Sequence, residues 1–317
     1  MVLLSDLESA AQVVYRAMHP TPQFRWPLLC ERAATDVWVK HENHTPIGSF
    51  KVRGGLVYLD RLRAEQPGVQ GVVAATRGNF GQSIAFAAGI HGLRAAIVVP
   101  QGNSVEKNAA MRSLGAELIE QGRDFQAAYE FTERYARQQG YHFVKSFHRL
   151  LWHGTASYGL ELLRAVPGLD TVYVPIGLGS GICGVIAARD SLGRSTAVVG
   201  VVAENAPSYV LSVAAGQPVT TDSANTIADG MACRVPDNEA FAIIRAGAER
   251  IVTVSEWEIR AAMRHYFTDT HNVAEGAGAA PLAALLKEKD AMKGKKVALV
   301  LSGGNVDASV YRGVLEV

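Results

Sequence analysis

The sequence predicts an α/β protein in which helices cover both faces of parallel β-sheets. Short runs of β-branched and other apolar residues alternate with longer, alanine-rich helical patterns. The predicted strands are almost continuously apolar, which is typical of strands that are buried on both faces. A chain of 317 residues is long enough for about two domains. It contains no internal repeat or long linker.

The predicted strands and helices alternate along most of the chain. Strands are expected at residues 37–40, 71–76, 95–100, 116–122, 142–147, 171–176, 197–204 and 296–303. Helices are expected at residues 1–20, 52–62, 81–89, 104–115, 124–140, 157–166 and 255–267. The first helix is amphipathic, and the helix at 104–115 is expected to stop at its terminal glycine.

The composition favours a globular protein without a nucleic-acid or membrane partner. Lys and Arg number 31 and Asp and Glu number 30, so the net charge of +1 provides no strong basic field. The three cysteines, Cys30, Cys183 and Cys233, are too far apart to suggest a disulfide framework or a C-x-x-C metal site. No signal-peptide pattern or bilayer-length apolar stretch is found, and we therefore expect a cytoplasmic protein.

Lys51 is the first candidate functional residue. It follows Gly48-Ser49-Phe50 at the start of a predicted helix, where the helix dipole disfavours a cation. That field and partial burial would lower the pKa of the amine and suit it to act as a nucleophile. The alternative is a solvated surface lysine, because lysines are mostly exposed.

The loop of residues 76–82 is the second candidate. It joins a predicted strand to a predicted helix, so its main-chain N–H groups could bind an anion, most naturally a substrate carboxylate. The Asn79 side chain could bind a cofactor oxygen. A tight Gly-Asn turn is the alternative interpretation.

The glycine-rich loop of residues 177–184 is the third candidate. Glycines let successive amides surround a phosphate, and the Ser180 hydroxyl could assist. The same loop matches the dinucleotide pattern G-x-G-x-x-G, and Glu204 lies where a ribose-binding acid would be expected. A nicotinamide-dependent oxidoreductase is therefore an alternative, although it leaves the other candidate segments without a role.

Ser302 supplies the fourth candidate segment, because a small hydroxyl residue at a strand end can bind a ring nitrogen. A Gly-Gly turn before a C-terminal helix is the alternative. His41 and His44 lie in a loop with no third ligand nearby in the sequence, so we predict no metal site.

In their order along the chain these segments resemble those of the fold-type II pyridoxal-phosphate enzymes, most closely the serine/threonine dehydratase and serine racemase branch. HTPIGSFKVRGG resembles the segment that carries the Schiff-base lysine, here Lys51, and TRGNFGQS resembles the S-G-N-H-G-Q loop. PIGLGSGICG resembles the phosphate-binding glycine loop. LSGGNVD resembles the segment whose serine, here Ser302, meets the pyridine nitrogen. THNVAEGAGAAPLAAL, with Glu275, resembles the E-P-x-G-A region.

The resemblance implies two three-layer, parallel-sheet domains of the tryptophan synthase β type, with pyridoxal 5′-phosphate in the cleft between them. A large cofactor-binding domain would comprise residues 1–49 and 148–317, and residues 50–147 would form a small mobile substrate domain. A homodimer is also implied. The implied catalytic residues are Lys51 and Ser302. The implied cofactor-binding residues are Phe50, Lys51, Asn79, Gly177, Leu178, Gly179, Ser180, Gly181, Glu275 and Ser302, and the implied substrate-binding residues are Thr76, Arg77, Gly78, Asn79 and Phe80.

The activity that the resemblance implies is β-elimination from a 3-hydroxy amino acid, giving a 2-oxo acid and ammonia. Serine, threonine, phenylserine and hydroxyaspartate are the substrates considered. Arg77 stands where the related racemases place a serine base, and an always-charged arginine is a poor proton shuttle, which favours elimination. Phe80 replaces a histidine, and Val202 replaces the ligand of the relatives' cation site. A racemase, a β-replacing synthase of the same fold and a non-catalytic amino-acid binding protein remain alternatives.

Overall fold

The computed structural model describes residues 2–123 and 125–316. Its strands are β1 (Gln23–Arg25), β2 (Asp36–His41), β3 (Gly71–Ala75), β4 (Arg94–Val99), β5 (Glu117–Glu120), β6 (His142–Phe143), β7 (Thr171–Pro175), β8 (Ala197–Ala203), β9 (Arg250–Val254) and β10 (Lys296–Leu301). They form a six-stranded sheet ordered β1-β2-β10-β7-β8-β9 and a four-stranded sheet ordered β5-β4-β3-β6. Every described strand pair is parallel except β1–β2. This arrangement confirms the predicted fold class.

Helices lie on both faces of the two sheets. They are α1 (Leu4–Tyr15), α2 (Pro27–Ala33), α3 (Lys51–Glu65), α4 (Asn79–Ile90), α5 (Val105–Ser113), α6 (Phe125–Gln139), α7 (Arg149–Ala165), α8 (Ser180–Ser191), α9 (Ser208–Ala215), α10 (Asn238–Gly247), α11 (Glu256–Thr270), α12 (Gly276–Lys287), α13 (Lys289–Met292) and α14 (Ala308–Leu315). A short 3-10 helix spans Asp229–Met231. No described helix is both long and apolar enough to cross a membrane.

Alternate residues of the central strands enter separate cores, as the twofold period of a strand requires. In β8, Val199 and Val201 join the core beneath α11 and α12, whereas Val198 and Val202 join the core beneath α7 and α8. The smaller sheet follows the same rule between α4 on one face and α6 on the other. Each sheet is therefore the middle layer of a three-layer unit, and the continuous apolar strands of the sequence are explained.

Several predicted elements have the wrong length, and two of them differ for a clear structural reason. The strand expected at 142–147 pairs with β3 only through His142 and Phe143, and after a last bond from Val144 N to the Val73 carbonyl the chain leaves the sheet. The helix expected at 157–166 begins eight residues earlier, at Arg149. Its early part contains Gly154, where a Cβ would lie 2.3 Å from the Arg53 carbonyl oxygen. That glycine lets α7 cross α3 closely, so it does not mark a loop.

A buried network of charges ties α3 to the larger sheet. The Arg53 guanidinium donates to Glu42 at 2.7 Å and to Glu161 at 2.7 Å, and Lys40 Nζ donates to Glu161 at 2.5 Å. Lys40, Glu42 and Arg53 are each fully buried. Because each buried charge has an opposite partner, the network fixes the start of α3 against β2 and α7.

The smaller sheet and its helices lie within the predicted domain of residues 50–147, but α3 packs against both α4 and α7. The predicted domain boundaries and the mobility of the small domain stay predictions. All three cysteines are free thiols.

Candidate active site

Lys51 lies beside the glycine-rich loop, although 129 residues separate it from Ser180 in the sequence. It is the first residue of α3, and its Nζ donates a hydrogen bond to Ser180 Oγ at 3.0 Å. Nζ also lies 5.0 Å from the centroid of the Phe50 ring. A small pocket beside the amine is lined by Lys51, Gly54, Phe80, Leu151, Thr155 and Ser180. Lys51 is therefore not a solvated surface lysine.

Burial lowers the pKa of Lys51 from its ordinary value of 10.5 to about 8, and the negative charge of Glu275 only partly opposes this shift. The sequence predicted the direction of the shift. The structure shows that removal of the amine from water is the main cause. A larger fraction of the amine is consequently neutral, and nucleophilic, near neutral pH.

The glycine cradle, residues 177–181, leaves no room for side chains at several positions. Gly179 has a φ of +101°, which favours glycine. A Cβ at Gly177 would lie 2.1 Å from the Gly230 carbonyl oxygen, and one at Gly179 would lie 2.9 Å from Ala240 Cβ. Ser180 then opens α8, whose first N–H groups have no partners within the helix. This geometry suits the binding of a phosphate.

Asn79 and Glu275 lie next to each other in the folded chain. Asn79 Nδ2 donates to both Glu275 oxygens, at 2.9 and 3.0 Å, and Asn305 Nδ2 donates to Asn79 Oδ1 at 2.7 Å. Burial raises the pKa of Glu275, and the Asn79 amide acts against this. Asn305 was not singled out from the sequence, although it stands in the Gly-Gly-Asn turn after Ser302.

The segment that carries Ser302 runs beside the segment that carries Lys51. The Phe50 N–H donates to the Ser302 carbonyl at 3.0 Å, and Ser49 forms an antiparallel bridge with Gly303. Ser302 is buried. Ser49 Oγ is also buried and has no hydrogen-bond partner among the described residues. An unpartnered buried hydroxyl is costly, which favours a polar ligand at this point.

The carboxylate loop, residues 76–80, leads into α4. Thr76 is buried, and its Oγ1 accepts a hydrogen bond from the Gly78 N–H at 3.0 Å. Phe80 lines the pocket beside Lys51, whereas the Arg77 side chain is exposed. The Gly78 N–H is therefore already bonded to Thr76. The substrate-binding role predicted for this loop stays a prediction.

The geometry unites a nucleophilic lysine of lowered pKa, an anion-binding glycine cradle at a helix start, and a buried serine at the end of a central strand. An α/β protein with these parts belongs to the class of enzymes that bind a phosphorylated aldehyde through a lysine. The chain belongs to the pyridoxal-phosphate dependent enzyme family, whose model matches residues 14–303. This membership accounts for the G-x-G-x-x-G pattern without a dinucleotide.

Curated and solved relatives cover almost the whole chain. An L-threonine ammonia-lyase of Thermotoga maritima is 36% identical over 99% of this chain and 78% of the relative. A catabolic L-threonine dehydratase of Staphylococcus aureus is 32% identical over 100% of this chain and 92% of the relative. A solved threonine deaminase is 32% identical with a TM-score of 0.90, and the match covers 96% of this chain and 99% of that one. An aspartate racemase structure is 28% identical with a TM-score of 0.92 and covers 97% of both chains.

The residues of the site fit pyridoxal phosphate. Ser180 and the first N–H groups of α8, which have no partners within the helix, follow the glycine cradle, the Lys51 amine has a lowered pKa, and Ser49 presents an unpartnered buried hydroxyl. Among the described residues, no group of three or more His, Cys, Asp or Glu side chains could hold a metal ion.

Uptake of pyridoxal phosphate by the apo-protein should become faster as the pH rises and should level off above about 8, the pKa of Lys51. Only the neutral amine attacks the aldehyde, and its fraction grows until the pH passes the pKa. Absorbance changes after rapid mixing would report the rate. A free lysine side chain is the reference, because its profile should rise near its ordinary pKa of 10.5. A protein profile that coincides with it would contradict the lowered pKa.

Proposed function

We propose that this protein is a pyridoxal-phosphate-dependent ammonia-lyase that converts a 3-hydroxy amino acid into a 2-oxo acid and ammonia. The observation that carries the proposal is the position of Lys51, whose amine of lowered pKa lies 3.0 Å from Ser180 at the glycine cradle. The relatives named as threonine ammonia-lyase and threonine dehydratase support this reaction.

Bound pyridoxal phosphate would supply an electron sink for the negative charge that develops at the substrate α-carbon. The main-chain amides of the glycine cradle and the Ser180 hydroxyl would hold the phosphate, and Ser302 would offer the ring nitrogen a neutral hydrogen-bonding partner. Phe50, Asn79 and Glu275 would contribute to the binding of the ring. Lys51 Nζ would attach the cofactor covalently.

The free Nζ of Lys51 would act as a general base and remove the α-proton of the bound substrate. A pKa of about 8 lets the amine accept that proton near neutral pH. Main-chain groups of the carboxylate loop would hold the substrate carboxylate in place. Loss of the α-proton and the β-hydroxyl removes the elements of one water, and hydrolysis of the resulting enamine takes one water back to give the 2-oxo acid and ammonia.

Racemisation is the second candidate, because racemase structures are among the close matches. It needs a base on the face of the substrate opposite Lys51. The Arg77 side chain is exposed and arginine is a poor proton shuttle, and the Thr76 hydroxyl already accepts a hydrogen bond from the Gly78 N–H. These two features favour elimination.

The named relatives favour a small 3-hydroxy amino acid as the substrate. The L-threonine ammonia-lyase and the catabolic L-threonine dehydratase each match nearly the whole chain. We therefore propose serine or threonine as the substrate.

The test is an assay of 2-oxo acid and ammonia with the purified holoenzyme and each stereoisomer of serine, threonine, hydroxyaspartate and phenylserine. We expect equal amounts of 2-oxo acid and ammonia, with serine or threonine as the best substrate. Inversion of the α-carbon without release of ammonia would identify a racemase instead. Turnover only with sulfide and an O-acetylated serine would identify a β-replacing synthase.

We further propose that the protein is a cytoplasmic homodimer and that residues 50–147 move as a substrate domain against residues 1–49 and 148–317. The three free thiols agree with a reducing compartment. Light scattering of the purified holoenzyme would give the subunit number.

A further inference from the structure

We propose that Lys107 and Asp229 are positioning residues whose ion pair joins the carboxylate loop to the glycine cradle. This inference rests on the proposed function, because it assigns these residues to substrate binding at the same site. Neither residue lines the pocket beside Lys51, and neither was singled out from the sequence.

Lys107 lies against the carboxylate loop at Gly78. It belongs to the first turn of α5, and its main-chain N–H donates to Ser104 Oγ at 3.0 Å, which caps the helix. A Cβ at Gly78 would lie 3.0 Å from Lys107 Cδ. The aliphatic part of the lysine therefore packs directly on the main chain of the loop.

The charged end of Lys107 reaches a different part of the molecule. Its Nζ donates to Asp229 Oδ2 at 2.6 Å, and the two side chains are 14% and 44% exposed. Asp229 begins the 3-10 helix, and the carbonyl oxygen of the next residue, Gly230, closes the space beside Gly177. The ion pair thus connects the carboxylate loop with the turn that packs on the glycine cradle.

Two further contacts hold the start of α5 to the segment that follows Ser302. Ser104 Oγ donates to Asp307 Oδ1 at 2.5 Å, and the Ala308 N–H donates to Glu106 Oε1 at 3.0 Å. The first turn of α5 therefore contacts both the 3-10 helix that begins at Asp229 and the segment that follows Ser302. Within this turn, Lys107 also contacts the carboxylate loop.

Loss of the ion pair should weaken substrate binding and leave the attachment of the cofactor intact. The carboxylate loop would no longer be held at a fixed distance from the glycine cradle. Lys51 would stay in place because the Arg53 network anchors its helix. The expected signature is a higher KM with little change in kcat and an unchanged absorbance spectrum of the holoenzyme.

The experiment titrates the holoenzymes of Lys107→Met, Asp229→Asn and the double variant with serine or threonine, and follows the cofactor absorbance. Each single variant should raise the amino-acid Kd roughly fivefold, the order expected for a partly exposed pair. The double variant should add nothing further, because the pair is already broken. The reversed pair, Lys107→Asp with Asp229→Lys, should recover part of the lost affinity, and Lys107→Arg should bind like the wild type.

Arg112→Met is the matched control, because Arg112 lies on the same helix and pairs with Glu120 at the surface, at 3.3 Å. It should leave the Kd unchanged. The proposal is overturned if Lys107→Met or Asp229→Asn, once folded and loaded with cofactor, binds the amino acid as the wild type does. It is equally overturned if the two losses add in the double variant. The titration measures amino-acid binding and does not require product formation. If no 2-oxo acid forms, the proposed function is refuted, but the titration still tests the role of the ion pair.

Discussion

Replacement of Lys51 by alanine should abolish covalent attachment of pyridoxal phosphate and lower 2-oxo acid formation by roughly 10²–10⁴-fold through loss of the general base alone. We propose that the same amine attaches the cofactor and removes the α-proton, so both functions should disappear together. Its short contact with Ser180 is the only hydrogen bond described for Nζ, and the fold should therefore survive the change. Product assays and thermal unfolding would measure the two effects.

The control for this prediction is Lys51→Arg, which keeps the positive charge but cannot attack the aldehyde in the same way. It should lose activity as fully as the alanine variant. Borohydride reduction of the wild-type holoenzyme, followed by peptide mapping, should place the label on Lys51. A label on Lys40, the other buried lysine of this region, or an active Lys51→Ala variant would refute the assignment.

Arg53→Met should lower the free energy of unfolding by about 3–5 kcal/mol, because it leaves buried carboxylates without a partner. Arg53 bonds to Glu42 and Glu161, and Lys40 forms a direct ion pair with only the second of them. Burial raises the pKa of Glu161, but the charges of Arg53 and Lys40 outweigh it and hold the pKa below its ordinary value. This carboxylate therefore stabilises the fold above its unfolded pKa, and the contribution is lost as the pH falls through the folded pKa.

Urea unfolding of the Arg53 variant at neutral and acidic pH would test both parts of the prediction. The loss of stability should be largest at neutral pH and should shrink on acidification, when Glu161 is protonated. Arg61→Met is the matched control, because Arg61 lies on the same helix and pairs with Glu65 in solvent. Its effect should stay within about 1 kcal/mol. Equal effects of the two variants would contradict a structural role for the buried network.

Much of the fold is predictable from the sequence because central strands such as β8 and β10 are continuously apolar and end in loops that carry polar or glycine residues. Short strands at the edges of the sheets are harder to predict. β1 spans three residues without an apolar pattern, and β6 is a two-residue edge strand whose predicted continuation leaves the sheet. The start of α7 lies eight residues before the predicted helix, and Gly154 in that stretch permits close packing on α3.

The candidate site also contains some residues that local sequence patterns predict and others that they do not. Lys51, the glycine cradle and Ser302 follow strand ends or open helices, so local patterns revealed them. Asn305 and Lys107 form hydrogen bonds with partners 226 and 122 residues away in the sequence. No local periodicity encodes such contacts, and only the folded chain shows them.

The position of β10 has a consequence for biosynthesis. This strand lies between β2 and β7, joining the earliest part of the larger sheet to its later half. While a ribosome is still translating the residues before 296, the edges of β2 and β7 that β10 will cover lack their partner, and open apolar edges favour aggregation. Slower synthesis at low temperature, or a supply of chaperones, should therefore raise the yield of recombinant protein.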